Sequence, residues 1–208
     1  MLDRDTPNRR GPGFSRRDFL KGSGAAMAAT AMATAAHESA AGEALKANLV
    51  SAEAGEITLN VNGKDHKLKL EPRVTLLYPL RNDLNLTGCK DIDDRNATGA
   101  DTVLIDDKPV LAGSRLAIQC VGKKIKTVES LRDGDKVDEV IAGFVKHDAL
   151  QCGFCTPGFV MATRAFLNKH PQATLDEVRK GLGGNLCRCG TYHGITQCAL
   201  ELAKKGGA

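Results

Sequence analysis

The sequence predicts an α+β protein in which a small half built on two β-hairpins and one helix precedes a four-helix bundle. Two observations carry this. Residues 57–70 alternate apolar and polar side chains about Asn62-Gly63, the period of a half-buried strand pair, and beyond Asp133 the apolar spacing turns helical. A third observation bounds the fold: the first fifty residues have the composition of a leader and a linker. The chain has 208 residues, 42% hydrophobic and 26% charged, enough for one globular domain or two small ones once the leader is gone. Net charge is +4, but much of that excess lies before residue 22, and aromatics are only 4% with no Trp; nucleic-acid binding is excluded on both counts.

Taken in order, Ser15-Arg16-Arg17-Asp18-Phe19-Leu20-Lys21 is a twin-arginine pattern, followed by a small-residue run over 22–36. That run is too short and too Ala-rich to span a membrane, so no span is expected in the mature chain. Ala33-Thr34-Ala35 is an A-x-A cleavage signal, placing the mature start near Ala36, with Ala41 as a later alternative. Residues 1–36 are therefore read as a twin-arginine signal peptide leading to the periplasm, and 37–55 as a linker. Ile57, Leu59 and Val61 then form one strand and Lys67-Leu68-Lys69-Leu70 the next, joined by the Asn62-Gly63 turn. Leu76, Leu77, Leu80 and Leu84 share a helix face over 75–84, with Pro79 interrupting it. Residues 102–105 and 110–111 flank a second turn, and 125–128 is a closing strand; this domain covers 56–131. In the remainder, 132–208, Val137, Val140, Ile141, Phe144 and Val145 predict a first helix ending before Gln151. Helices follow over 156–168, from the capping box at Thr174 to Leu182, and over 192–204.

Seven cysteines are present, and four fall in two tight pairs, Cys152-Gly153-Phe154-Cys155 after the first helix and Cys187-Arg188-Cys189 before the last. Glycines beside them let the backbone turn closely around a ligand. Three chemistries compete for such a set. Disulfides suit an oxidising compartment, although C-x-C is a poor local disulfide. Zinc suits four thiolates, although its second pair is more often C-x2-C to C-x4-C. A [2Fe–2S] cluster takes four thiolates from two loops equally well.

The stretches Gln151-Cys152-Gly153-Phe154-Cys155-Thr156-Pro157-Gly158 and Gly184-Asn185-Leu186-Cys187-Arg188-Cys189-Gly190 resemble, almost residue for residue, the two signatures of a known family. These are the iron–sulfur subunits of the xanthine dehydrogenase and aldehyde oxidoreductase group of molybdenum hydroxylases. The resemblance covers residues 56–205, and the leader is similar to that of the exported, periplasmic branch. It implies a β-grasp ferredoxin-like domain followed by a four-helix-bundle [2Fe–2S]-binding domain. Cys152, Cys155, Cys187 and Cys189 would be the ligands of one cluster, with Gln151 against the pterin of a molybdopterin-binding large subunit. The implied function is electron transfer from that subunit, which would oxidise the substrate, by this branch an aldehyde; the next acceptor would be an FAD subunit or a cytochrome c. The alternative is a structural or assembly subunit with zinc or disulfides at the same cysteines.

One part departs from the pattern. The family's first domain carries a second cluster on C-x4-C-x2-C and a more distant fourth cysteine. Aligning Leu86-Thr87-Gly88 and the segment from Gly99 to Val103 puts Asp93, Thr98, Asp101 and Gly113 at those four positions. Hard oxygen donors do not replace thiolates there, and glycine donates nothing, so this cluster is predicted lost. Cys89 and Cys120, near the ends of the altered loop, are a candidate disulfide standing in for the lost staple. Asp91, Asp93, Asp94, Asp101, Asp106 and Asp107 lack EF-hand spacing and read as a solvated loop face rather than a calcium site. Cys198 reads as a buried small hydrophobe, and His147 and His193 as surface or capping residues.

Overall fold

The computed structural model describes residues 51–93, 95 and 97–205; the predicted signal peptide, most of the linker and Asp94 lie outside them. Strands β1 (Gly55–Val61) and β2 (Lys64–Leu70) form the first hairpin, with Asn62 and Gly63 both at positive φ, 52° and 79°, as a type I′ turn demands. Strands β3 (Thr102–Ile105) and β4 (Lys108–Leu111) repeat the device with Asp106 and Asp107 at φ 50° and 61°, a conformation that Asp tolerates better than most side chains. Strand β5 (Lys124–Lys126) runs parallel to β1 and antiparallel to β3, giving a mixed five-stranded sheet in the order β2-β1-β5-β3-β4. Leu59, Val61, Val103 and Ile125 bury one face of it against Leu76 and Leu80.

Helix α1 (Glu139–Lys146) starts at Asp138, whose carboxylate accepts the Val140 amide and is also gripped by Arg164 at 2.6 Å. A cap of that kind contributes about 1 kcal/mol. Helix α2 (Thr156–Lys169) begins at Cys155 with Pro157 in its first turn, where a missing N–H costs nothing. Helix α3 (Leu175–Gly181) has the predicted capping box between Thr174 and Glu177, and helix α4 (Tyr192–Lys204) closes the bundle. Phe144, Phe159, Val160, Ile195 and Leu202 form its core. Met161 and Ala165 of α2 bury against Leu104 of β3, so the sheet and the helices share a seam.

Three elements differ from the sequence prediction. The helix expected over 75–84 is a single π-helical turn, Pro79–Asp83, in which the Leu84 amide reaches back to the Pro79 carbonyl at 2.9 Å. Pro79 has no amide to give to an i→i−4 ladder, and the wider turn absorbs the defect. The closing strand lies at Lys124–Lys126, and a 3-10 turn, Val128–Leu131, takes the end of the predicted segment. The first bundle helix starts later than its apolar spacing suggests. Arg132–Asp133 (β6) and Lys136–Val137 (β7) pair around Gly134 at φ 57°, so the Asp-Gly turn signal overrides the helical period and Val137 is left exposed.

Candidate metal centre

The loop from Gln151 to Cys155 turns on Gly153, at φ 83°, and delivers Cys155 to the N-terminus of α2. The loop from Gly184 to Gly190 turns on Gly190, at φ 87°, and delivers Cys187 and Cys189 just ahead of α4. A side chain at either glycine would be strained by that backbone conformation. Cys155 and Cys187 are each 8% exposed, whereas Cys152 and Cys189 lie at the surface.

The thiols meet in two pairs across the loops, Cys152 with Cys189 and Cys155 with Cys187. Burial, together with the hydrogen bond and charge of Cys187, pushes the Cys155 thiol up to about 12. Burial acts in the same sense on Cys187, but it is outweighed by the Thr191 hydroxyl, 3.0 Å from the sulfur, and by the Thr191 amide; the result is a thiol lowered to about 7. Amide donation from Phe154 lowers Cys152. At Cys189 the Cys152 amide lowers the thiol, but the Cys152 thiol and burial prevail and raise it. Hydroxyl and amide donors aimed at sulfur are what bound thiolates require. Tyr192 fixes the second loop by accepting the Cys187 amide at 2.8 Å, and its ring meets Phe159 edge-on at 5.9 Å. Around the sulfurs lies an open cavity of about 420 Å³ walled by Ile92, Phe154, Leu186 and Tyr192.

The donor set fits an iron–sulfur cluster. A two-iron cluster takes two ligand pairs, and two thiol pairs are what the loops present.

The family described as [2Fe-2S] binding domain matches residues 127–200, and a twin-arginine translocation pathway signal sequence matches residues 13–33. Over 205 residues the chain is 37% identical to the iron–sulfur-binding subunit of an aldehyde oxidoreductase of Escherichia coli, spanning 91% of this chain and 88% of that one. The chain is an iron–sulfur subunit of the aldehyde oxidoreductase and xanthine dehydrogenase family. This iron–sulfur subunit is also 42% identical to the nicotine 6-hydroxylase small subunit of Paenarthrobacter nicotinovorans, over 70% of its own length and 88% of that relative. Its fold superposes on quinoline 2-oxidoreductase from Pseudomonas putida 86 with a TM-score of 0.69 and 37% identity, covering 75% of this chain and 99% of that one. The subunit carries a [2Fe–2S] cofactor, transfers electrons, and partners a large molybdopterin-bearing subunit; its leader directs it through the twin-arginine pathway to the periplasm.

The residues at the other four aligned positions form no thiol site. Asp93 accepts the Ala97 and Thr98 amides at 3.1 and 2.9 Å, and Asp101, 3% exposed, accepts the Gly113 amide at 2.7 Å. Farther along this acidic stretch, Asp106 accepts the Lys124 amide and Asp107 pairs with Lys126. The candidate Cys89–Cys120 disulfide is not formed, a correction to the sequence reading: both are free, buried thiols of the sheet core. Burial raises both, Cys89 to about 12, and Cys120 donates to the Leu116 carbonyl. Carboxylate bonds to backbone amides already close the loop, so no covalent staple is needed there. Cys198 is fully buried, His147 bonds Glu201 at 2.7 Å, and Gln151 and His193 are exposed. Sequence reasoning missed Thr191 and Asn185. Both are buried polar residues within four positions of Cys187, and that proximity was the available signal.

Proposed function

We propose that Cys152, Cys155, Cys187 and Cys189 hold one [2Fe–2S] cluster that is the whole redox equipment of this chain, within an exported molybdenum hydroxylase that oxidises an aldehyde on its large subunit. The pairing of the four thiols across two glycine-hinged loops carries this reading. The cluster, when bound, takes up and releases one electron at a time. Thr191 and the amides of Phe154 and Thr191 donate to the ligand sulfurs and so favour the more negative, reduced state. Burial of Cys155 and Cys187 keeps water from one side, and the exposure of Gln151, next to Cys152 in the chain, is compatible with the place against the partner's pterin that the family resemblance implies for it. The aldehyde assignment is supported by the name of the Escherichia coli relative, a subunit of an aldehyde oxidoreductase. With Asp93, Thr98, Asp101 and Gly113 in place of thiolates, electrons leave beside the helical half, to a cytochrome c or an FAD subunit.

The chain purified from the periplasmic fraction with its partner is expected to contain about two irons per chain and to show one reduced electron paramagnetic resonance (EPR) signal. Cys187→Ser is expected to lose the visible absorption, while Cys89→Ser keeps it. About four irons, or two distinct signals, would contradict the single-cluster reading, and a colourless zinc protein would contradict the cluster itself.

A further inference from the structure

The loop that carries Asp93, Thr98 and Asp101 is not isolated from the cysteines. Its Thr98 carbonyl accepts the Leu186 amide at 2.9 Å, immediately before Cys187. Its Gly99 carbonyl accepts the buried side-chain amide of Asn185 at 2.8 Å, and the same Nδ2 reaches the Thr102 hydroxyl at 3.3 Å. The contact leaves no free space. At Gly99, φ 70°, a Cβ would lie 2.7 Å from Asn185 Nδ2 and 2.8 Å from the Gly184 carbonyl oxygen. The backbone that bears Cys187 and Cys189 therefore rests directly on the backbone of residues 98 and 99.

That support is itself held in shape by carboxylates. Asp93 ties the Ala97 and Thr98 amides from one side, and Asp101 ties Gly113 from the other. Glu129 anchors the start of the loop by accepting the Gly88 amide at 2.8 Å. Three of these bonds, those to the Ala97, Thr98 and Gly113 amides, are made by the side chains at two of the positions aligned with the ferredoxin-type cysteine pattern.

We propose that Asp93 and Asp101 are positioning residues for the remaining cluster: they clasp the loop over 93–101, and through the Thr98 and Gly99 carbonyls that loop fixes the segment carrying Cys187 and Cys189. The inference rests on the assignment of the cluster to the four cysteines. A buttress of this kind governs how firmly one ligand pair is presented, and a supporting residue typically affects metal retention roughly 10- to 100-fold.

The test uses the full chain bearing its iron, with two readouts: the EPR g-values of the reduced form and the rate at which a ferrous-iron chelator strips the iron. Gly99→Ala and Asp93→Ala are expected to shift the g-values and to release iron about tenfold faster or more. Asp101→Ala is expected to do the same, whereas Asp101→Asn, which keeps an acceptor for the Gly113 amide, stays near wild type. Asn185→Ala combined with Asp93→Ala is expected to release iron less than multiplicatively, because both act on one path. Should Gly99→Ala fail to fold, the Asp101→Ala and Asp101→Asn pair decides. Unchanged g-values and release rates in the aspartate variants, with wild type holding its iron, overturn the positioning role and leave the cluster assignment standing. A wild-type chain without a [2Fe–2S] signal overturns the assignment and the inference together.

Discussion

At the scale of single residues, charge is spent on holding backbone and side chains in place. Glu201 shows it on α4, where Lys146, Lys205 and His147 all reach its carboxylate and lower it from the ordinary 4.5 to about 2. A carboxylate depressed in the folded state contributes its stability in full above its unfolded value and loses it as pH falls through the folded one. The difference in melting temperature between wild type and Glu201→Gln is therefore expected to be present at neutral pH and to shrink as pH drops from 4.5 towards 2. It stays small throughout, because Lys146 and Lys205 are well solvated. Legibility at this scale followed chemistry. The four paired cysteines could be read because thiolate spacing is distinctive. The Cys89–Cys120 pairing could not, because sequence gives the separation of two thiols along the chain and not the carboxylate bonds that close the loop between them.

At the scale of elements, glycines set how closely helices approach their neighbours. Gly143 of α1 faces Cys198 of α4, and a Cβ there would stand 2.5 Å from its sulfur. Alanine would gain about 1 kcal/mol of helix propensity, yet crowding a fully buried thiol costs about 1–3 kcal/mol. Gly143→Ala is expected to lower stability in a denaturant melt, and adding Cys198→Ala to restore part of it. Gly158 of α2 is the harsher case, since its Cβ would lie 2.2 Å from the Gly99 carbonyl oxygen and 3.0 Å from Ala100 Cα, neither of which is a flexible side-chain tip. Gly158→Ala is expected to cost about 3 kcal/mol or more by the same measurement. Elements with strong local signals were readable: the Asn62-Gly63 hairpin, the Thr174 capping box and the last helix all stand where the sequence puts them. The π-helical turn and the β6–β7 ribbon were not, because in each a backbone-specific residue, Pro79 or Gly134, defeats an apolar period that is otherwise helical.

At the scale of the molecule, a third small apolar cluster, Leu104 with Met161 and Ala165, joins β3 to α2, and the Asn185 and Leu186 bonds to residues 98 and 99 also link the two halves. The order of hairpins and helices was legible from periodicity; the seam was not, because Met161 and Ala165 look like ordinary core of α2 until the sheet is in place beside them. A twin-arginine substrate crosses the membrane already folded, so whatever metal it needs must be installed in the cytoplasm. The bonds from the Gly113 amide to Asp101 and from the Thr98 amide to Asp93 close this part of the sheet half through protein groups. On the single-cluster reading proposed above, maturation before export comprises one metallation event, at the two loops that carry the four cysteines.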